Sequence, residues 1–343
     1  QRERLSSMRE SENRVRQAVT AAKMYYYHGL TTEQVAEEME VSRPKVSRLL
    51  SFARERGLVE IIIHDQDEDL APLSSEIEKR FGVHKVHSVP APDILGEVAW
   101  LERVSQYASH YLNEILEPDG ILGCAWGTTV SSISSQLIPK TIPGLKIVQL
   151  NGSGNTHTYD NNYAAHILKS FGENYGARVY LFPVPTFFDY AETKQAMWRE
   201  RSVRNILQKQ EQADVLLYSI GSVNSGVPSH LYSSEYLGPT DLESLRENGV
   251  VGDMATVFYR DDGTYEDIEM NARSSGPPLH LYKNVPRAIC VVSGRSKIPG
   301  LHAALRAGYM SELIVDEPTA RSLLAYDKAP ENEKDSPNTG SFA

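Results

Sequence analysis

Short apolar runs alternate with amphipathic helical segments along most of this chain, from about residue 66 onward. The runs "GILGCAWG", "LKIVQLNG", "ADVLLYSIGSV" and "RAICVVSG" are mainly apolar, and segments with helical spacing lie between them. Strands that are apolar on both faces are typical of parallel sheets that helices cover on both sides. The pattern therefore predicts an α/β fold built on a doubly wound, mainly parallel sheet.

The N-terminal part follows a different pattern, which predicts a small helical domain over residues 1–65. A first helix ends at Gly29, a second opens at Thr31 with Gln34 three residues on, and a third opens at Ser42. Glycine is typical of a left-handed helix end, and Thr with Gln at this spacing indicates a capping box. Three short helices in this order predict a helix-turn-helix, and the run "LVEIIIHD" after them predicts a wing.

The third helix is either a DNA-binding helix or only a charged face in contact with solvent. The local charge of this helix distinguishes the two alternatives. The chain as a whole is acidic, with Lys+Arg 35 against Asp+Glu 45, but this helix is basic. Phosphate binding depends on the local potential, because salt screens surface charges beyond about 10 Å. We therefore predict DNA contacts from the start of this helix and from neighbouring hydroxyl groups. The predicted DNA-binding residues are Thr32, Ser42, Arg43, Lys45, Ser47 and Arg48.

Composition narrows the class of protein further. A chain of 343 residues suits two domains, and we expect the second to span residues 66–328 and a disordered tail to span 329–343. No apolar run is long enough for a membrane span, and the histidines show no metal-ligand spacing. Cys124 and Cys290 each lie in an apolar run, so we expect buried, reduced thiols and a cytoplasmic protein.

Four of the strand-like runs end in glycine-bearing loops, "AWGTT", "LNGSGNT", "SIGSVNSG" and "VSGRSK". In a parallel sheet the carboxyl ends of the strands share one edge, where ligands bind. One such loop is weak evidence, because glycine also ends strands for steric reasons, but four at one edge predict a ligand site. The "GTT" amides open a helix and suit a phosphate. The residues predicted from these loops are Gly127, Thr128, Thr129, Asn151, Gly152, Ser153, Gly221 and Ser222.

Two charged residues add to this predicted site. Asp253 follows an apolar Val-Val-Gly, which favours an inward carboxylate that suits sugar hydroxyls, with a helix N-cap as the alternative. Lys297 lies at the start of a predicted helix, where a cation is unfavourable for the helix dipole, and this favours a functional role. Arg295 could play the same part.

Taken in order, these motifs resemble the SorC family of bacterial transcription regulators over roughly residues 15–325. The N-terminal "YYYHGLTTEQVAEEMEVSRPKVSRLL" resembles its DNA-binding region. The motifs "GCAWGTTV", "VQLNGSG", "VVGDMATVFYRDDG", "VSGRSK" and "VDEPTARSLL" resemble its sugar-binding domain. The resemblance implies a homotetramer that binds operator DNA and responds to a phosphorylated sugar, with an effector domain related to sugar-phosphate isomerases. It also implies phosphate binding by Gly127–Thr129 and effector contacts from Asp253 and Lys297.

One departure from the family pattern concerns the residue that follows "VQL". In a family member that forms a Schiff base with its sugar aldehyde, this residue is a lysine, whereas here it is Asn151. Asparagine has no nucleophilic amine. We therefore expect an effector that is held at this point by hydrogen bonds alone.

The sequence thus predicts a DNA-binding transcriptional regulator, not an enzyme, controlled by a phosphorylated sugar or sugar alcohol of a carbohydrate or nucleoside catabolic operon. No cofactor or metal is expected. Two alternatives stay open: a sugar-phosphate isomerase or deaminase-like enzyme with an added helical domain, and a DNA-binding protein whose α/β domain only oligomerises. An isomerase needs a tuned acid/base pair, and Asp253 has no second partner at a convincing spacing.

Overall fold

The structure is a computed structural model. It describes residues 14–27, 29–59, 70–154, 163–222, 230–232 and 236–328. The chain divides into two compact units, residues 1–67 and 68–343. The predicted tail lies outside the described residues, as does most of the predicted wing. Within the described ranges, no helix combines the length and the apolar character needed to cross a membrane.

The smaller unit consists of short helices with defined ends. Its described elements are α1 (residues 14–22), a π-helical turn (Lys23–Tyr27), α2 (Thr32–Glu38) and α3 (Arg43–Glu55). Gly29 has a φ of 65°, as predicted for a left-handed residue after the first helix. The Thr31 hydroxyl accepts from the Gln34 amide, and the Gln34 side chain accepts from the Thr31 amide at 2.9 Å. The predicted capping box is therefore present.

One apolar cluster holds these helices together. The stripe on α3 is buried, and it consists of Val46, Leu49, Leu50 and Ala53. It packs against buried alanines of α1 and α2, among them Ala18, Ala21 and Ala36. Alanine at the contact surface lets helices approach closely, so a unit of this size can still bury a continuous core.

The larger unit contains ten described strands. In chain order they are β1 (Lys85–Val89), β2 (Ile121–Cys124), β3 (Lys146–Gln149), β4 (Arg178–Tyr180), β5 (Val215–Tyr218), β6 (Ile220–Gly221), β7 (Val250–Met254), β8 (Val257–Arg260), β9 (Arg287–Val292) and β10 (Glu312–Asp316). Seven form one sheet in the order β1-β10-β9-β5-β2-β3-β4, with every neighbouring pair parallel.

Helices cover both faces of this sheet. The described helices of the larger unit are α4 (Ala71–Phe81), α5 (Gly96–Ile115), α6 (Thr128–Ser135), α7 (Tyr163–Tyr175), α8 (Ala191–Met197), α9 (Arg201–Glu211), α10 (Pro239–Glu247), α11 (Glu269–Arg273), α12 (His280–Asn284), α13 (Ile298–Arg306) and α14 (Glu317–Lys328). Single 3-10 turns span Asp93–Leu95, His230–Tyr232 and Arg295–Lys297. Along β5, Leu216 and Tyr218 join one core while Val215 and Leu217 join the other, as strands buried on both faces require.

A second, smaller sheet adds to the prediction of a mainly parallel architecture. The strands β6, β7 and β8 pair antiparallel in that order. The run "VVGDMATVFY" therefore folds as a hairpin, and its two turn residues Ala255 and Thr256 have φ of 45° and 72°. Turns of this kind usually carry Asn-Gly or similar pairs, so the sequence contains no signal for the reversal.

The order of strands defines where a ligand site is expected. From β2 the chain moves outward through β3 and β4, and it then returns to place β5 on the other side of β2. Such a reversal is a topological switch point, and in open α/β sheets ligands bind outside the carboxyl ends of the strands at this point. The loops that follow β2 and β5 are two of the predicted glycine-bearing loops.

Candidate functional site

A narrow cavity lies at this switch point, and it is partly open to solvent. Seven of the predicted effector residues line it: Gly127, Thr128, Thr129, Asn151, Gly221, Asp253 and Lys297. They come from the ends of β2, β3 and β6, from β7, and from the turn that precedes α13. Strands far apart in sequence thus bring one set of polar groups together.

The amino end of α6 forms one wall of this cavity. Gly127 is the N-cap and has a φ of 151°, a conformation that residues with a Cβ rarely adopt. The first amides of a helix have no partner within the helix, and they carry the positive end of its dipole. Thr128, Thr129 and Val130 supply these amides and line the cavity. This wall can bind an anion such as a phosphate.

Asp253 forms a second wall and is only 5% exposed. Its carboxylate accepts from the Tyr232 hydroxyl at 2.8 Å and from the Thr256 amide at 3.2 Å. Burial raises the pKa of Asp253 to about 6, although these two hydrogen bonds and the charge of Lys297 oppose the rise. A Cβ on Gly221, the residue that pairs with Asp253, would lie 2.0 Å from Oδ1. Glycine at 221 therefore leaves room for the carboxylate.

The hairpin turn beside Asp253 is strained and firmly held. Thr256 is β-branched, and a positive φ is unusual for such a residue. The Ser274 hydroxyl donates to the Thr256 carbonyl at 2.7 Å, and the side chains of the two residues lie 3.0 Å apart. A Cβ on Gly276 would meet the Ala255 carbonyl at 2.1 Å, so this segment also packs closely on the turn. Strain of this kind is common where a fold fixes functional groups.

Lys297 also lines the cavity and is 8% exposed. Burial lowers the pKa of its amine, while Cys290 and Asp253 oppose that effect. Within the described part of the chain, its Nζ makes no ion pair within 4.0 Å. Arg295, the alternative cation, instead binds both carboxylate oxygens of Asp93 at 2.9 Å. The cation that faces the cavity is therefore Lys297.

Three of the predicted effector residues do not line this cavity. The Gly152 amide donates to the Ser275 hydroxyl at 2.9 Å, and its carbonyl accepts from the Trp126 indole at 3.0 Å. Ser153 borders a separate groove next to β4. The Ser222 hydroxyl donates to the Ser296 carbonyl at 3.2 Å. The loops were located by their glycines. All five residues of "AWGTT" line the cavity, whereas only some of the described residues of the other three loops do.

Several lining residues were not among the predicted effector residues. They are Trp126, Ser219, Thr256 and Ser293 among the polar ones, and Leu101, Ile220 and Leu231 among the apolar ones. Trp126 precedes the "GTT" motif directly, and this position was a usable signal. Tyr232, which holds Asp253, lies in a 3-10 turn far from it in sequence. Only the folded chain brings these two residues together.

In the smaller unit, the residues predicted to contact DNA lie on α3 and at the start of α2. Ser42, Arg43, Ser47 and Arg48 are exposed, while Thr32 and Lys45 are half-buried. The Nε of Arg43 pairs with Glu33 Oε1 at 2.9 Å. Other side chains stay within their own helix: Arg48 Nε donates to the Pro44 carbonyl at 3.2 Å, and the Thr32 hydroxyl donates to Glu33 Oε2 at 3.1 Å. The unit thus presents exposed basic and hydroxyl groups on one short segment.

The geometry defines the class of protein: a helical unit with a basic helix, joined to an α/β unit with a polar cavity at its switch point. Known proteins agree with it. Residues 65–325 match the family described as "Putative sugar-binding domain". The chain is 32% identical over 309 residues to the deoxyribonucleoside regulator of Bacillus subtilis, covering 90% of this chain and 96% of that protein.

Solved structures give the same result. A domain of "a possible sugar-binding transcriptional regulator" from Arthrobacter aurescens is 44% identical, with a TM-score of 0.70, and the match covers 76% of this chain and all of that one. The full-length sorbitol operon regulator SorC of Klebsiella pneumoniae is 24% identical, with a TM-score of 0.74, and the match covers 90% of this chain and 98% of that one. That second likeness shows the fold.

The chain belongs to this sugar-binding domain family, which includes the SorC-type regulators. It is a transcriptional regulator, as the sequence predicts, and the relatives it matches are named as regulators rather than enzymes. The isomerase alternative loses its support accordingly.

Proposed function

We propose that the cavity binds a phosphorylated sugar or sugar alcohol, and that α3 binds operator DNA as the recognition helix of a helix-turn-helix. The observation that carries the proposal is the convergence of the α6 amino end, Asp253 and Lys297 on one cavity at the switch point. A cation and the first amides of a helix suit phosphate, and a buried carboxylate suits hydroxyl groups. A phosphorylated sugar carries both kinds of group.

The site favours a phosphate at the α6 wall. The amides of Thr128 and Thr129 supply donors there, and Gly127 keeps the approach free of a Cβ. Lys297, which has no ion-pair partner among the described residues, supplies a charge that a dianionic group can neutralise. The relatives are named for deoxyribonucleosides and for the sorbitol operon, and this supports an effector from a carbohydrate or nucleoside catabolic operon.

For the smaller unit, exposure and charge support the DNA assignment. Arg43 lies at the amino end of α3, where recognition helices present side chains to base edges. Ser42, Ser47 and Thr32 carry hydroxyls that suit phosphate contacts. The operator would be bound in the cytoplasm by a homo-oligomer, a tetramer by the family resemblance.

The effector changes DNA affinity only if it binds two arrangements of the assembly with different affinities. A coupling free energy of about 1–3 kcal/mol, or roughly 5- to 150-fold in affinity, is sufficient for a switch. Regulation then requires both the cavity residues and the DNA-binding residues of α3. A substitution in one of these groups should leave the binding activity of the other group unchanged.

Thermal unfolding of the full chain tests the effector class. Pairs of phosphorylated and unphosphorylated pentoses, hexoses and polyols are compared, and a ligand at 100 times its Kd stabilises by about 2.7 kcal/mol. We expect a higher Tm with phosphorylated compounds only. Shifts with unphosphorylated sugars alone would reject the phosphate assignment at α6, and a flat panel would reject the cavity as an effector site.

A matched pair of lysine variants sharpens the test. Lys297→Ala should abolish the effector-induced shift in Tm. The same variant should bind operator DNA with unchanged affinity. The operator probe is a sequence that the full chain selects from a random DNA library. Lys283→Ala is the control, because that amine lies 4.9 Å from the centre of the Tyr309 ring and does not line the cavity. Retained effector response in Lys297→Ala would remove this residue from the site.

A further inference from the structure

Three neutral side chains that line the cavity have buried hydrogen-bonding atoms without a partner among the described residues. They are Asn151, Ser219 and Ser293. Asn151 is the most extreme of the three, since it is 1% exposed and neither Nδ2 nor Oδ1 has a partner. Buried polar atoms are almost always paired in native proteins, because leaving them unpaired destabilises the fold. An unpaired set at one site points to a ligand.

The main-chain carbonyls at Asn151 and Leu150 are, by contrast, engaged in hydrogen bonds. The Asn151 carbonyl accepts from Gln149 Nε2 at 2.7 Å and from the Trp126 indole at 3.2 Å. The carbonyl of the preceding residue, Leu150, accepts from Gln210 Nε2 at 3.0 Å. The polar side chains nearby therefore fix the main chain and leave the carboxamide alone. A rigid main chain holds this group in place in advance of binding.

The chemistry of the unpaired atoms indicates what they bind. A carboxamide offers two N–H donors and a carbonyl acceptor, and a serine hydroxyl can both donate and accept. A phosphate ester dianion or a carbonyl group only accepts, so it can satisfy Nδ2 but not Oδ1. An alcohol hydroxyl satisfies both. Asn151, Ser219 and Ser293 carry no charge, which separates them from Lys297 and the α6 amides in the same cavity.

We propose that Asn151, together with Ser219 and Ser293, makes the site selective for effectors with a hydroxyl at the carbon that faces the carboxamide, against the matching deoxy sugars. The inference rests on the proposed function, because it takes the cavity to be the sugar-phosphate site. A deoxy analogue would leave both Asn151 atoms buried and unpaired in the complex. Sites built to bond a hydroxyl reject such analogues more strongly than sites that select by size.

Isothermal titration of the full chain tests this selectivity. The probes are ribose 5-phosphate, glucose 6-phosphate and fructose 6-phosphate, each with its single-position deoxy analogues. For the parent that binds, we expect one analogue to bind at least about tenfold more weakly. In Asn151→Leu that ratio should fall towards one. Equal affinities for the parent and all its analogues would overturn the inference and leave the proposed function intact, whereas no binding of any probe would count against both.

A second measurement needs no ligand. If the carboxamide serves binding rather than folding, Asn151→Leu should leave the Tm of the free protein unchanged or raise it by about 2–4 °C. Asn271→Leu is the matched control, because the Asn271 side chain bonds the Phe258 amide and carbonyl and the Tyr265 carbonyl, each at 2.8 Å. That control should lower the Tm. An equal loss in Asn151→Leu would show a structural role and overturn the inference.

Discussion

The two units of this chain place their functional groups in opposite physical settings. In the smaller unit the candidate residues are exposed, and Arg43 already has an ionic partner in Glu33 at 2.9 Å. In the cavity of the larger unit, Asp253 and Lys297 are buried, and burial moves the pKa of each away from its ordinary value. Solvent and salt screen the exposed charges of the smaller unit, but they screen the buried charges of the cavity much less.

This contrast teaches where specificity comes from in each unit. An exposed cation contributes to DNA binding mainly through its position on a helix. The pairing of Arg43 with Glu33 is weak, because exposed ion pairs contribute little free energy. A buried polar group interacts strongly with a ligand, because folding has already removed the water that would otherwise solvate the group. We therefore expect surface variants in the first unit to have graded effects, and buried variants in either unit to have large ones.

The largest effect expected in the smaller unit comes from its core. Val46→Asp places a carboxylate in a fully buried position of α3, which costs about 3–5 kcal/mol when the charge has no partner. A unit of this size has little more stability than that. Operator binding, measured by fluorescence anisotropy, should be lost, while the rise in Tm of the larger unit with effector persists.

Val98→Asp provides the matched control for this change. Val98 lies on α5 and is 66% exposed, so the same substitution there should alter neither activity. If Val46→Asp bound operator DNA normally, the buried stripe of α3 would be wrongly assigned. If it also abolished the effector response, the two units would not be independent in folding.

The buried carboxylate predicts a pH dependence of stability. The pKa of Asp253 is raised from 3.8 to about 6, so between these values the folded state holds a proton that the unfolded state releases. The free energy of unfolding therefore falls as the pH rises through this window. Two pH units at 1.36 kcal/mol each amount to roughly 3 kcal/mol. Asp253→Asn lacks this titration. Its free energy of unfolding, relative to that of the wild type, should therefore rise by about this amount as the pH increases from 4 to 7.

His87 acts with the opposite sign and must be separated from this effect. Burial lowers the pKa of His87 to about 4, so its contribution to stability is lost as the pH falls from about 6.5. Because His87 is present in both proteins, it cancels in the difference between Asp253→Asn and wild type. Urea unfolding followed by tryptophan fluorescence reports only the larger unit, which contains Trp100, Trp126 and Trp198. A difference that did not vary with pH would contradict the shifted pKa.

The sequence predicts the smaller unit better than the cavity, for a physical reason. Capping at Thr31, the end at Gly29 and the stripe through Val46 follow from contacts within a few residues, so local rules are sufficient. The strand-end loops were also predictable, since parallel strands share an edge. The hairpin at Ala255–Thr256 was not, because tertiary packing by Ser274 holds a turn that the residues themselves do not favour.

Within the cavity, the same limit separates predicted from unpredicted residues. Gly152 lies directly beside Asn151, yet its amide is used by Ser275 from a segment more than a hundred residues away. Ser219 and Ser293 lie in two of the predicted loops but were not singled out, and they reach one site because β5 and β9 are neighbours in the sheet. Contacts between distant segments decide which side of a loop faces a ligand.

A smaller effect is expected from the exposed pair on α2 and α3. Arg43→Ala should cost about 1–3 kcal/mol at the cognate operator and relax its sequence preference. Glu33→Ala removes an acidic neighbour and should strengthen binding slightly, by no more than about 1 kcal/mol. Affinities for the cognate and a scrambled operator, compared at one salt concentration, provide the measurement. Equal losses on both DNAs in Arg43→Ala would indicate a phosphate contact instead of a base contact.

The smallest effect concerns the two helix caps of the same unit, which differ in one respect. Thr31 makes reciprocal capping hydrogen bonds, so Thr31→Ala should destabilise the start of α2 by about 1 kcal/mol. Ser42 is the N-cap of α3 but makes no capping hydrogen bond from its side chain, so Ser42→Ala should cost much less. Hydrogen exchange of the first amides of each helix measures both. If Ser42→Ala still weakens operator binding, the Ser42 hydroxyl contacts DNA rather than the helix. An equal loss of amide protection in both variants would contradict the difference between the two caps.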